Sequence, residues 1–117
     1  MKNKILIIED EVRFARLLSM ELKHEGYETE FVSDGEEGLE KIRAQEFSAV
    51  LLDFMLPTLN GVEICQKARE FSSIPFILLT ARDDVQEEAL QAGVNVCLKK
   101  NFDIRELLAV LKKLVAS

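Results

Sequence analysis

Five short apolar runs, each followed by a longer segment with helical spacing, constrain the fold of this chain more than any other feature of its sequence. The runs have the length of strands and are rich in leucine and β-branched residues: Lys4–Glu9, Glu28–Val32, Ala49–Asp53, Pro75–Thr80 and Val94–Lys99. The segments after them predict helices over Glu11–Glu25, Gly35–Gln45, Val62–Phe71, Asp83–Ala92 and from Asp103 to Leu114. Strands that alternate with helices in this way form a parallel sheet covered by helices on both faces.

The predicted fold class is therefore α/β, a flavodoxin-like (βα)5 doubly wound parallel sheet. Right-handed crossovers leave few topologies for five such units, and the strand order 2-1-3-4-5 is favoured among them. A chain of 117 residues has room for one domain of this kind. Residues 1–117 are accordingly expected to form a single unit.

The spacing of apolar residues in the helical segments predicts which side chains pack inward, and the polar residues before these segments predict the helix caps. The inward-facing residues are Phe14, Leu17, Leu18, Met20 and Leu22 in the first helix, Leu39 and Ile42 in the second, and Ile104, Leu107, Leu108 and Leu111 in the last. Ser33 or Asp34 is expected to cap the second helix. Asp103 and Glu106 have the spacing of a capping box at the start of the last helix.

Charge and composition exclude several classes of protein. The net charge of −6 argues against direct binding of nucleic acid, and no apolar run is long enough to cross a membrane. No secretory leader is evident, and Cys65 and Cys97 lack the number and spacing of a disulfide framework or a metal site. We therefore expect a cytoplasmic protein with no membrane contact.

The carboxyl ends of the predicted strands carry the residues best suited to chemistry. Glu9 and Asp10 follow the first strand and Asp53 ends the third, whereas Thr80 ends the fourth and Lys100 follows the fifth. These ends meet at one edge of a parallel sheet, where ligands bind. Three clustered carboxylates need a cation, and hard oxygen ligands suit Mg²⁺. The set favours transfer of a phosphoryl group onto Asp53, with Lys100 and Thr80 contacting its oxygens.

Taken singly, most of these residues have an ordinary interpretation. An acidic pair at a turn, a threonine at a strand end and a solvated lysine are all common. Asp53 is less ordinary, because a carboxylate at the end of an apolar strand has an electrostatic cost. A functional site is favoured by the agreement of four separate strand ends at one edge of the sheet.

Four segments resemble the receiver domain of two-component response regulators. They are IIEDE (Ile7–Glu11), LLDFMLPTLNG (Leu51–Gly61), LLTAR (Leu78–Arg82) and the element Lys100–Phe102. The resemblance covers essentially the whole chain. It implies a domain that accepts a phosphoryl group and turns over no separate metabolite, and so is not an enzyme in the usual sense.

The resemblance also assigns roles and partners. Asp53 would be phosphorylated by a sensor histidine kinase, and Mg²⁺ would be held by Glu9, Asp10, Asp53 and the backbone carbonyl of Met55. Thr80 would be the switch hydroxyl, signalling through the surface of the fourth and fifth βα units, and Lys100 the lysine of the family. The output would pass to another protein or, in a longer regulator, to a DNA-binding effector domain. A phosphorylation-dependent homodimer is compatible with the same assignment.

Three departures from the family pattern lie in the half of the chain that carries output. Asn101 follows Lys100 where the family usually has proline, and a cis peptide before a non-proline residue costs roughly 2.5–4 kcal/mol. A trans bond there would change the direction of Lys100, and Lys99 is an alternative if the register shifts. Cys97 replaces the usual aromatic switch residue. The segment between Thr80 and Lys100 is also shorter than usual, which trims the fourth helix or its loop.

Two positions that tune the lifetime of the acyl phosphate in the family are occupied here by Met55 and Arg82. Neither offers a carboxylate or amide that positions a water molecule for attack. The hypothesis is that the phosphorylated form decays over minutes or longer rather than seconds.

Three other functions compete with this assignment. A Mg²⁺-dependent phosphohydrolase would want a second acid where Met55 stands, and a flavin-binding module would want a phosphate-cradling loop where Glu9 to Glu11 would repel the phosphate. A phosphorylation-independent pseudo-receiver, acting only as an interaction module, is the alternative that the missing proline and aromatic residue leave open.

Overall fold

A computed structural model describes residues Lys2 to Ala116, and its backbone confirms the alternation of strands and helices. Met1 and Ser117, which belong to the expected domain, lie outside the described residues. The strands are β1 (Lys4–Ile8), β2 (Glu28–Val32), β3 (Ala49–Asp53), β4 (Phe76–Thr80) and β5 (Val96–Lys99). The helices are α1 (Val12–His24), α2 (Gly35–Ala44), α3 (Gly61–Ala68), α4 (Gln86–Gln91) and α5 (Ile104–Val115).

The five strands form one parallel sheet in the order β2-β1-β3-β4-β5, which confirms the flavodoxin-like class and the predicted strand order. In the register, Ile8 pairs with Leu52 and Asp53 with Leu79, so the ends of β1, β3 and β4 are level. Residues that follow these strands are thereby brought to one edge of the sheet.

Each face of the sheet carries its own apolar core. On one face, α2, α3 and α4 bury residues such as Leu39, Ile64 and Ala89 against alternate residues of the strands. On the other face, α1 and α5 bury residues that include Leu18 and Leu111. Burial on both faces explains why the central strands are almost continuously apolar.

The inward stripes of the helices are narrower than the sequence pattern predicted. In α1 the buried apolar residues are Ala15, Leu18 and Leu22, whereas Leu17 and Met20 are 60% and 68% exposed, so their assignment to the core was wrong. Spacings of three and four residues put the first three on one side of the helix and the other two away from it. In α2, Leu39 and Ile42 are buried as predicted.

The last helix has the same narrow stripe. Leu107 and Leu111 are fully buried, while Ile104 and Leu108 lie at the margin of the core and are only partly covered.

Two helices are shorter than predicted. The helix α3 ends at Ala68, because the amides of Phe71 and Ser72 both donate to the Ala68 carbonyl and turn the chain. The helix α4 begins only at Gln86, because Asp84 is bound by the Arg82 guanidinium and the N-cap residue, Val85, has no side-chain acceptor. The strand β5 likewise begins later than predicted, at Val96.

The caps are partly as expected. Asp34 caps α2 by accepting from the Glu36 amide. Asp103 caps α5, but its carboxylate accepts from Arg105 and no reciprocal bond from Glu106 forms within the described residues, so the capping box was wrong there. The box that does form joins Asn60 and Glu63 at the start of α3.

No helix between Lys2 and Ala116 is both long enough and apolar enough to cross a membrane.

Candidate functional site

Three carboxyl groups converge where β1 and β3 end side by side. Glu9 and Asp53 are buried, whereas Asp10 is exposed at the bend after β1. One carboxylate oxygen from each of the three residues lies within 4.8 Å of the others. The sheet therefore brings together the acids that the sequence singled out, in an arrangement that could hold a metal ion.

The buried carboxyl of Glu9 supplies a direct test of whether the site fits a cation. Its Oε2 atom accepts a hydrogen bond from the Glu11 amide at 3.1 Å. Its Oε1 atom is buried and accepts no hydrogen bond from any residue between Lys2 and Ala116, although the Lys100 Nζ lies 3.0 Å away as an ion-pair partner. A buried oxygen with unused acceptor capacity beside two more carboxylates fits a hard divalent cation.

Lys100 reaches the same pocket from the loop after the edge strand β5. Its Nζ atom lies 3.0 Å from Glu9 Oε1 and 3.5 Å from Asp53 Oδ1, and its side chain is 26% exposed. The alternative, Lys99, points away and pairs with Asp83. The Lys100–Asn101 peptide bond is trans, so Lys100 reaches both acids without a cis bond.

Burial and charge shift the ionisation of all three groups. Burial raises the pKa of Glu9 from its ordinary value to about 7, although the Glu11 amide and the Lys100 ammonium oppose the shift. Burial likewise raises the pKa of Asp53, against the attraction of Lys100. Burial lowers the pKa of Lys100, but the two carboxylates outweigh this effect and the pKa ends above its ordinary value. The ammonium stays charged beside two acids that gain from a further cation.

Thr80 lies at the same edge, at the end of β4, and is buried. Its Oγ1 atom accepts a hydrogen bond from the Arg82 amide at 3.0 Å, so the hydroxyl is tied to its own loop. Its backbone carbonyl accepts from the Lys100 amide at 2.9 Å. The two chain segments that carry Thr80 and Lys100 are therefore joined directly.

Met55 and Arg82, the two residues expected to affect the lifetime of an acyl phosphate, have different surroundings. Met55 lies in the loop after Asp53 with its side chain 64% exposed. Arg82 is clamped by Asp84, with Nε–Oδ1 and Nη2–Oδ2 distances of 2.9 and 2.6 Å, and its guanidinium lies 5.3 Å from the centre of the Phe54 ring. No acid or amide side chain stands at either position.

Phe14 is the neighbour of the site that the sequence analysis missed. Its helical spacing suits a core stripe, and the resemblance equally offers it, with Leu18, as an exposed patch for docking a kinase. In the structure Leu18 is buried, whereas Phe14 is only half-buried and its ring centre lies 4.9 Å from the Lys100 Nζ. Phe102 packs against the same ring edge to face. The position of Phe14 in the first turn of α1, directly after the acidic run, was a usable signal, since that turn lies beside the carboxyl edge of the sheet.

This fold and this edge of acids, lysine and threonine define a class of protein. A family model described as the response regulator receiver domain matches residues 5–112, and the chain belongs to that family.

Its relatives agree with this assignment. The response regulator ArlR of Staphylococcus saprophyticus is 41% identical over 114 residues, a match that covers 96% of this chain and 52% of ArlR. The chain thus spans about half the length of the curated relative.

Solved structures with the same fold include receivers that hold magnesium. The receiver domain of a sensor histidine kinase from Pseudomonas aeruginosa PAO1, solved with a magnesium ion in its active-site cleft, matches with a TM-score of 0.92 and 30% identity over the whole of both chains. The response regulator TrrA from Thermotoga maritima, solved with Mg²⁺ and BeF, matches with a TM-score of 0.89 and 34% identity over 97% of this chain and 99% of TrrA.

Proposed function

We propose that this receiver domain takes a phosphoryl group onto Asp53 from a phosphohistidine of a sensor histidine kinase. The observation that carries the proposal is the Lys100 ammonium, which lies within 3.5 Å of Asp53 Oδ1 and 3.0 Å of Glu9 Oε1, in a pocket of three acids. A carboxylate that repels other anions becomes an acceptor for phosphate only where cations offset the charge.

The transfer makes one bond and breaks one. An Asp53 carboxylate oxygen attacks phosphorus, the bond from phosphorus to the imidazole nitrogen breaks, and the imidazole keeps the electron pair and takes up a proton. Lys100 then pairs with the transferred group as a point charge. The Thr80 hydroxyl leaves the Arg82 amide and donates to a phosphoryl oxygen. The product is an acyl phosphate on Asp53, and no separate metabolite is turned over.

Mg²⁺ would be held by Glu9, Asp10, Asp53 and the backbone carbonyl of Met55, and when bound it would neutralise charge on the phosphoryl oxygens. The fit of the cation to this chain is supported by the buried Glu9 Oε1 and by the three convergent carboxylates. The magnesium-bound receiver from Pseudomonas aeruginosa supports the choice of metal.

The signal would leave the site through Thr80 and the surface of β4, α4, β5 and α5. Support comes from the hydrogen bond in which the Lys100 amide donates to the Thr80 carbonyl. Because this bond joins the two loops, a displacement of one loop displaces the other. Because the curated relative is about twice as long as this match, an attached DNA-binding effector domain and a separate output protein are both open as recipients. A phosphorylation-dependent homodimer and a cytoplasmic setting belong to the same proposal.

The test uses intact-protein mass after incubation with acetyl phosphate, with and without Mg²⁺. The expected result is a single phosphoryl adduct that needs Mg²⁺ and is absent from Asp53→Asn. A folded wild-type chain that gains no adduct would contradict the proposal. The chain would then be better described as a pseudo-receiver that acts through binding alone.

A further inference from the structure

The Lys100 ammonium has a third neighbour besides the two carboxylates. Its Nζ atom lies 4.9 Å from the centre of the Phe14 ring, within the range of a cation–π contact. Lysine has a long flexible stem and a strongly hydrated head, so two acids alone leave its ammonium many positions between pocket and solvent. A ring on one side excludes water there and attracts the charge.

The Phe14 ring is itself held in place by the loop that carries Lys100. Asn101 stands where family members usually have proline, and the bond before it is trans. The loop is closed instead by the Phe102 amide, which donates to the Lys99 carbonyl at 3.0 Å. This turn brings the Phe102 ring edge to face against Phe14, with centres 6.3 Å apart and planes at 66°. Such a geometry is a favourable aromatic pair.

We propose that Phe14 is a positioning residue, whose ring keeps the Lys100 ammonium over the Glu9–Asp53 pair in a chain that lacks the proline after the lysine. Phe14 touches no reacting atom and acts only through Lys100. The consequence for catalysis rests on the proposed function, whereas the placement of the ammonium does not. The two can therefore be tested apart.

The placement is measured by NMR on the unphosphorylated, metal-free protein. Protons on the Lys100 Cε that lie over an aromatic ring are shifted upfield, and Lys100→Arg identifies their signal by removing it. In Phe14→Leu, which keeps an apolar side chain but has no ring, the signal is expected to return to the range of exposed lysines. Phe14→Tyr keeps the ring face and is expected to preserve the shift.

The catalytic consequence is measured as the rate of phosphorylation by acetyl phosphate at saturating Mg²⁺. Phe14→Leu is expected to slow the reaction roughly threefold to tenfold, the factor that corresponds to one partly buried cation–π contact. Phe14→Tyr is expected to stay near the wild-type rate. Rescue by tyrosine separates positioning from simple loss of core volume.

A second pair of the same kind provides the matched control. The Lys4 Nζ lies 5.3 Å from the centre of the Phe47 ring, at the opposite end of β1 from Glu9 and Asp10. Phe47→Leu should move the Lys4 signal and leave both the Lys100 signal and the rate unchanged.

An unshifted Lys100 signal in the wild type, or an unchanged one in Phe14→Leu, would overturn the placement. A lost shift with an unchanged rate would overturn the positioning role. A wild type that takes up no phosphoryl group, with the Lys100 signal behaving as expected, would instead count against the proposed function alone.

Discussion

Glu9 shows how burial changes the chemistry of a single carboxyl group in this site. Its side chain is 2% exposed, its buried Oε1 atom lies 3.0 Å from the Lys100 ammonium, and its pKa is raised to about 7. The sequence predicted that Glu9 would lie with Asp10 and Asp53, because strand ends meet at one edge. The sequence had no means of showing which of the acids is buried, since that depends on how Lys100 and α1 close over the pocket.

This burial predicts an unusual dependence of stability on pH in the absence of metal. A carboxyl whose pKa is about 7 when folded and ordinary when unfolded binds more protons in the folded state across that interval. Stability is therefore expected to fall as pH rises from about 5 to 8, by on the order of 3 kcal/mol at most. The raised pKa of Asp53 acts in the same direction.

Urea unfolding in EDTA at pH 5.5 and pH 8 measures this effect. Glu9→Gln should show a clearly smaller difference between the two pH values than the wild type, the remainder coming from Asp53, while the exposed control Glu40→Gln should keep the wild-type difference. Added Mg²⁺ should restore wild-type stability at pH 8. A wild type that is more stable at pH 8 than at pH 5.5 without metal would contradict the account.

Met55 carries a prediction about how long the acyl phosphate survives. Its side chain is exposed, so Met55→Asn should cost little stability. An amide there can orient a water molecule toward phosphorus, and we expect decay of the phosphorylated form to speed up by about tenfold or more. The half-life is measured from the mass of the adduct over time, with Met20→Asn on the exposed side of α1 as the control. A wild-type half-life of seconds would contradict the slow decay predicted for Met55 and Arg82.

At the scale of elements, the hydrophobic pattern predicted every strand and helix but not where each one ends. The ends depend on contacts between distant segments. The segment before β5 is an example: Gly93 has a φ of +105°, and the Asn95 side chain accepts from the Phe76 amide, so the chain turns here instead of extending β5 back to Val94. The exposed Leu17 and Met20 are a further example, because apolar residues off the inward stripe look the same in sequence as those on it.

Arg69 links these elements and carries a prediction about stability. From the C-terminal end of α3 it donates to the Gly93 carbonyl at 2.8 and 3.2 Å and to the Ser72 carbonyl at 3.2 Å, and it lies over the Phe76 ring. Arg69→Ala would leave these carbonyls without their partner, and we expect a loss of roughly 1–3 kcal/mol in the free energy of unfolding.

The same urea experiment includes a control and a second variant. Arg43→Ala removes an exposed arginine whose guanidinium stacks on the Phe71 ring, and it should cost less than about 1 kcal/mol. Arg69→Lys should not restore stability, because an ammonium lacks the planar fork that reaches both carbonyls. Equal losses for Arg69→Ala and Arg43→Ala would show that the link between α3 and the segment before β5 is unimportant.

At the scale of the whole molecule, the doubly wound sheet gathers the acids, Lys100 and Thr80 at one edge. In the proposed scheme, Thr80 links this edge to output, because it ends β4 and the chain continues from it toward α4. This arrangement was predictable because strand order follows from connection rules that hold for all such folds. The position of Phe14 beside this edge could be inferred from its place in the first turn of α1, but its ring contact with the Lys100 ammonium could not, because that contact depends on how the loop after β5 packs against α1.

Thr80→Ala should separate the two halves of this scheme. Asp53 should still accept the phosphoryl group, because the acids and Lys100 are unchanged. The reaction should be slower, because the Thr80 hydroxyl no longer donates to a phosphoryl oxygen. The changes in amide chemical shift that phosphorylation produces in α4 and β5 should shrink, because the hydroxyl that moves is gone. Ser19→Ala, which removes a buried hydroxyl paired with Thr29 far from the site, is the control. Undiminished shifts in Thr80→Ala would exclude Thr80 as the route.

The most direct test of the central claim locates the phosphoryl group on the chain. Borohydride reduces an acyl phosphate on aspartate to homoserine, so treatment after phosphorylation in Mg²⁺ marks the acceptor in a peptide map. The account predicts homoserine at residue 53 and unmodified side chains at Glu9 and Asp10. A label at either of those two acids, or a chain with no label at all, would contradict it.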